Sequence, residues 1–234
     1  MARLTRKELK SDKFALEVQH SVEFVSEHRQ MLIRWGGIGV AVVILAVAFY
    51  VYRNHERTVR QEALHRALQY QNASVGQAGN EFMPAFATAG ERDKAVTQAF
   101  TELATKYKGT DEGIMGEFFL GTNASDNGNL AEAEKHFKAV MDSGNRNYSA
   151  MAKMAMAQIY ASQGKLSQGE ALIQSVIDHP TDLVSKEQAT LALGDLIRAS
   201  DPKRALKLIE PLRSSPRATI SKAAISAVSE IPQK

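Results

Sequence analysis

The chain has 234 residues, 44% of them hydrophobic, and no cysteine, so disulfide frameworks, thiolate catalysis and Cys-based zinc sites are excluded while a folded core is not. Its net charge of +3 comes from 29 Lys and Arg against 26 Asp and Glu, and the surplus is uneven: residues 1–34 hold seven basic and five acidic side chains, residues 35–234 hold 22 and 21. No basic stripe interleaved with aromatics occurs, which argues against a nucleic-acid surface.

Alanine leads the apolar residues, and no run alternates Val, Ile, Thr or Tyr between turn residues. An all-α chain without strands is therefore expected. Residues 1–30 read as a short charged tail on the cytoplasmic side of a membrane. Thr5-Arg6-Lys7-Glu8 fits a capping box, and Phe14, Val18, Val22 and Val25 then share one helical face. Two readings fit: a helix lying on the inner leaflet with its lysines near anionic lipid, or a loosely ordered tail that only sets orientation.

Residues 31–53 read as a transmembrane signal-anchor helix. Trp35 to Tyr52 is 18 residues without a charge, fenced by Arg34 and Arg53. With Met31, Leu32 and Ile33 the helix spans about 30 Å, the thickness of a bilayer's hydrocarbon. Nine of the 18 residues are Val, Ile, Leu or Phe, and at roughly −0.3 to −0.6 kcal/mol each they favour insertion by about −3 to −5 kcal/mol. Trp35 at one end and Tyr50 and Tyr52 at the other sit where interfacial anchors sit, and Arg34 and Arg53 can snorkel to the headgroups. A buried core helix would not need charges placed at both ends. Ala46-Val47-Ala48 has the form of a signal-peptide cleavage site, but the 34 residues before Trp35 far exceed an ordinary n-region and apolar residues continue to Tyr52. Seven Lys and Arg precede the span, whereas the 20 residues after it contain four. The positive-inside rule then places the N-terminus in the cytoplasm and the rest outside, which in a Gram-negative cell is the periplasm. Small residues such as Gly37 and Ala41 offer a weak packing face for another membrane helix.

Residues 54–234 read as one exported domain. From Asn54 to about Ser74 a helix continues with Val59, Ala63, Ala67 and Tyr70 on one side, as a stalk leaving the membrane. Gly76, Gly79, Pro84 and Gly90 then break the helix, and Phe82, Met83 and Phe86 suggest a segment that packs down. Beyond it the sequence repeats. Gly121, Gly128, Leu130, Ala133, Phe137 and Val140 recur 36 residues later as Ala157, Gly164, Leu166, Gly169, Ile173 and Val176. A third copy keeps Ala205, Ile209 and Leu212, with Leu193-Gly194 upstream and a shorter turn through Ser200-Asp201-Pro202. A degenerate earlier copy falls at Val96, Phe100 and Leu103. The repeats are drawn at about 55–110 (degenerate), 114–147, 150–183 and 187–216, followed by a capping helix over 217–231 with Ile220, Ala224, Ala227 and Ile231 apolar. In each hairpin a small residue such as Gly121 or Ala157 lets two helices approach, Gly128 or Gly164 makes the turn, and the next leucine starts the second helix. Ala133 and Ala205 keep the second helix close, and the large residue four further on fills the gap to the next repeat. No hairpin buries its faces alone, so stacking is obligatory.

The run from Leu120 to Phe137 resembles a tetratricopeptide repeat, although the 36-residue interval is slightly long and Gly169 stands where alanine is usual. The whole layout, a short basic tail, one signal-anchor and an exported repeat domain, resembles the ancillary SecYEG translocon subunit (YfgM-like) family. That resemblance implies an exported domain that binds periplasmic chaperones and an anchor that associates with the translocon of the inner membrane.

Chemistry is expected to be absent. The histidines at 20, 28, 55, 65, 136 and 179 form no HExxH and no ligand cluster, and His136 reads as an exposed helix residue. Ser162-Gln163-Gly164-Lys165 has the SxxK form of serine hydrolases, yet Gly164 is the repeat's turn glycine. No cofactor, small-molecule substrate or catalytic residue is expected. In tetratricopeptide-like domains the first helix of each pair lines the concave face, and here those positions are Met115, Phe118, Thr122, Met151, Met154 and Gln158. They lack the Lys, Arg and Asn that grip a terminal carboxylate. Methionines suit an adaptable apolar groove. They suit ordinary packing too, since Met151, Met154 and Met156 cannot all face one way. The expected role is a membrane-anchored scaffold for other proteins at the export channel. The alternatives are a scaffold of another envelope complex, in cell division or outer-membrane assembly, and a self-associating structural protein.

Overall fold

The computed structural model describes residues 29–76 and 84–231. The expected capping box at Thr5 to Glu8, the apolar face from Phe14 to Val25, and Phe82 and Met83 lie outside the described residues. The chain divides into two compact units, Met1–Thr58 and Val59–Lys234.

The first helix, α1 (Arg29–Gln71), is 43 residues long and continues unbroken through Ala46-Val47-Ala48 and past Tyr52. Every described side chain from Met31 to His55 is exposed, with Trp35 at 68%, Leu45 at 69% and Tyr50 at 71%. None of the apolar stretch is buried inside the protein, which removes the core-helix reading. Burying one Val, Leu, Ile or Phe side chain is worth roughly 1.5–3 kcal/mol, so leaving nine in water is a large unmet driving force. The helix is long and apolar enough to cross a bilayer. Near its end the Arg53 guanidinium lies 5.8 Å from the centroid of the Phe49 ring.

From Val59 onward α1 enters the second unit. Val59, Ala63, Ala67 and Tyr70, the face read from the sequence, pack into a cluster with Val96, Phe100, Leu103 and Tyr107. Ala67 is fully buried, so this stretch is core, and the expected stalk is corrected. The absence of strands is corrected too. β1 (Ser74–Val75) and β2 (Ala85–Phe86) pair in parallel, Ser74 opposite Ala85 and Val75 opposite Phe86. Two residues per strand cannot show an alternating pattern. The pairing is held from outside, by the Gly76 N–H donating to the Phe86 carbonyl at 3.0 Å and by an edge-to-face contact of Tyr70 with Phe86.

The remaining elements are helices: α2 (Ala89–Lys106), α3 (Asp111–Asp126), α4 (Leu130–Met141), α5 (Arg146–Ser162), α6 (Leu166–Asp178), α7 (Lys186–Ile197), α8 (Pro202–Ile209) with a 3₁₀ turn over Glu210–Ser214, and α9 (Ala218–Glu230). Hydroxyls start three of them, Thr88, Thr110 and Ser185 accepting from backbone N–H groups three residues on. The turns of the first two hairpins are copies. Gly128 and Gly164 adopt φ of +77° and +75°, and the N–H groups of Asn129 and Lys165 donate to the carbonyls of Ala124 and Tyr160, each at 2.8 Å. Leu130 and Leu166 then open the second helices, as the repeat predicts. The third turn does without glycine. Asp201 donates its N–H to the Ile197 carbonyl and accepts from the Arg204 N–H, and Pro202 opens α8.

Within each hairpin a small residue on the first helix faces a large one on the second. A Cβ on Gly121 would lie 2.9 Å from the Phe137 ring, and one on Gly194 would lie 2.4 Å from Ile209 Cγ1. The large residue therefore seats first on its own hairpin's small residue. Phe137 also meets the next hairpin, sharing a cluster with Ala152, Met156 and Ile159. Gly169 has a reason of its own: a Cβ there would stand 2.7 Å from the Ala157 carbonyl oxygen. The helices approach so closely at that point that even alanine does not fit.

Candidate functional site

The first helices α3, α5 and α7 and the terminal α9 touch one another in succession, whereas the second helices α4, α6 and α8 meet mainly their own partners and the next first helix. A stack whose first helices touch while its second helices spread is concave on the first-helix side. A crevice of about 380 Å³ on the other side fits this spreading, lined by Ala104 of α2, Ile114 and Glu117 of α3, and Val140 of α4.

The repeat places the face residues in register. Met115 corresponds to Met151 and then Gln188; Phe118 to Met154 and Leu191; Thr122 to Gln158 and, across the shorter turn, Asp195. Met115, Phe118, Thr122, Met151 and Met154 are half-buried and Gln158 is exposed. Phe118 leans on Phe137, their ring centroids 5.5 Å apart, and the Thr122 hydroxyl donates to the Phe118 carbonyl at 3.1 Å. Met151 and Met154 rest against the cluster that contains Ile173 and Leu193. Met156 is fully buried: of the three methionines it alone is wholly core.

Gln158 opens onto a cavity of about 430 Å³ shared with Asp195 and Arg198 of α7 and Ala223, Ser226, Ala227 and Glu230 of α9. None of the other five face residues lines this cavity. The Arg198 guanidinium donates to Glu230. Among the described residues no hydrogen bond reaches the Asp195 carboxylate. Burial pushes its carboxyl above the ordinary range, the Glu230 charge adds to the shift, and Arg198 opposes it. The sequence reading does not single out Asp195, Arg198 or Glu230. Asp195 and Arg198 carry a signal, standing 37 residues after Gln158 and Ala161, which becomes visible once the one-residue deletion in the third turn is allowed for. Glu230 carries none, because the capping helix departs from the repeat.

Near the start of α5, at the opposite end of that helix from Gln158, the Tyr148 hydroxyl is also held above its ordinary value, by burial first and then by Asp111 and Glu112 at the start of α3. His136 is corrected from exposed to half-buried: its Nδ1 lies 2.6 Å from Glu117 Oε2, and the side chain is 16% exposed. Ser162 donates its hydroxyl to the Ile159 carbonyl and Lys165 donates to Gln163, so the SxxK form is a helix-ending turn.

A family model described as a tetratricopeptide repeat-like domain matches residues 30–201, taking in the apolar part of α1 together with the hairpins up to the third turn. No curated protein and no solved structure matches the chain.

Proposed function

Because the chain belongs to the tetratricopeptide repeat-like domain family, we propose that it is a membrane-anchored scaffold, an accessory subunit of the SecYEG translocon that holds periplasmic folding factors beside the export channel. The observation that carries this reading is covalent: the helix with an unburied apolar surface and the stack of helical hairpins belong to one chain. An anchor confines the stack to two dimensions and raises its effective concentration at any membrane-bound partner. The stack supplies a concave face of the kind on which repeat domains bind other proteins, and binding is the role proposed for it. The N-terminus lies in the cytoplasm and the stack in the periplasm, following the Lys and Arg excess before the span.

Crosslinking in native membranes, followed by purification in mild detergent, tests the translocon assignment. The expected result is co-elution of SecYEG. Recovery of a cell-division or outer-membrane assembly complex in its place would move the scaffold to that machine. Protease treatment of right-side-out vesicles tests the topology, with the hairpins digested and residues 1–30 protected.

A further inference from the structure

The polar row of the first helices runs Thr122, Gln158, Asp195, from neutral to acidic, and ends at the cavity between α5, α7 and α9. Two carboxylates and one guanidinium line that cavity, a net charge of −1. Among the described lining residues the one cation, Arg198, donates to Glu230. Asp195 is left half-buried, with no hydrogen-bond donor on its oxygens among the described residues, and with the Arg198 and Glu230 charges nearby acting in opposite directions. A carboxylate taken partly out of water without a hydrogen bond is costly, and a cation brought to it recovers part of that cost as a charge-assisted hydrogen bond. Beside this row the positions of Phe118, Met154 and Leu191 form an apolar register along the same helices.

We propose that the cavity seats a lysine or arginine side chain of a partner polypeptide, with Asp195 as the acceptor and the partner's neighbouring apolar side chains lying along Phe118, Met154 and Leu191. The assignment rests on the first-helix face being the binding face of the scaffold. Arg198 is shared between the two carboxylates: it donates to Glu230, and its charge offsets part of the cost of burying Asp195 without a hydrogen bond to it. Specificity arises by difference: an acidic or neutral residue in that place leaves Asp195 unpaired.

Fluorescence anisotropy tests this on the full chain in nanodiscs of zwitterionic lipid, with empty nanodiscs as the blank. The probes are a nine-residue peptide of repeating Phe-Leu-Lys and two matched peptides with serine or glutamate in place of lysine. The lysine peptide is expected to bind about tenfold more tightly than the serine peptide, the worth of one charge-assisted hydrogen bond, and the glutamate peptide more weakly still. Asp195→Asn, which keeps shape and removes charge, should bring the lysine peptide down to the serine value and leave the serine peptide unchanged. Met154→Glu should weaken all three. Equal binding of the three peptides, or an Asp195→Asn protein that still prefers lysine, overturns the cationic subsite and leaves the groove standing. No binding of any peptide overturns the subsite and the binding face together.

Discussion

Residues 35–52 and the hairpin stack are both rich in apolar side chains, and they treat them in opposite ways. In the first region Trp35, Leu45, Phe49 and Tyr50 are all more than 60% exposed; in the second Phe137, Ile173 and Ile209 are at most 2% exposed. The difference is one of pattern. The apolar residues of the first region cover the helix on every side, and no single neighbouring face can bury all sides of a rod. Those of α4, α6 and α8 recur at three and four residues, so each helix offers one stripe that a neighbour covers. A bilayer surrounds; a neighbouring helix covers only one face.

The largest effect that would break this comparison comes from the first region. Ile44→Asp combined with Val47→Arg adds roughly 5–7 kcal/mol at the middle of the span, against about −3 to −5 kcal/mol favouring insertion. The chain should leave the membrane on alkaline extraction, and one that stays in the bilayer would refute the anchor. In the stack, Phe137→Ala removes the ring that fills the notch over Gly121 and joins two hairpins, costing about 3–5 kcal/mol in denaturant unfolding. Gly169→Ala should cost about 1–3 kcal/mol by forcing a methyl group against the Ala157 carbonyl, where the opposite sign is usual for a helix interior. An unchanged midpoint would show that the helices there can part. Gly164→Ala, at a φ of +75° in open space, should cost about 1 kcal/mol from backbone strain alone.

The smallest effect is that of Asp195. Its folded-state carboxyl is raised, so the folded chain binds a proton more readily than the unfolded one, and this group's contribution to stability falls as pH rises from the ordinary carboxylate value through the raised one. At pH 7 Asp195→Asn should therefore raise the melting temperature slightly, and the gain should vanish below the ordinary carboxylate value. A variant that is more stable and binds lysine less well is the signature of a residue kept for binding. A lower melting temperature at pH 7 would mean that Asp195 is instead held by the fold.

What the chain alone determined is what depends on neighbours in sequence or on period. The unbroken apolar run, the glycines at 128 and 164 that need positive φ, the leucines at 130 and 166 that start helices, and the 36-residue recurrence all follow from local backbone freedom and from stripes that must be covered. What tertiary structure decided depends on distances between residues far apart in sequence. Gly169 is intelligible only beside the Ala157 carbonyl, His136 only beside Glu117, and the β1–β2 pair only through the contacts of Tyr70 and Gly76. Asp195 gains its character first from burial, then from the charges of Arg198 and of Glu230, the latter 35 residues on in a helix that departs from the repeat. Periodicity carries over to equivalent positions, whereas the charge and burial at one position are summed over everything folded around it, and that sum exists only in three dimensions.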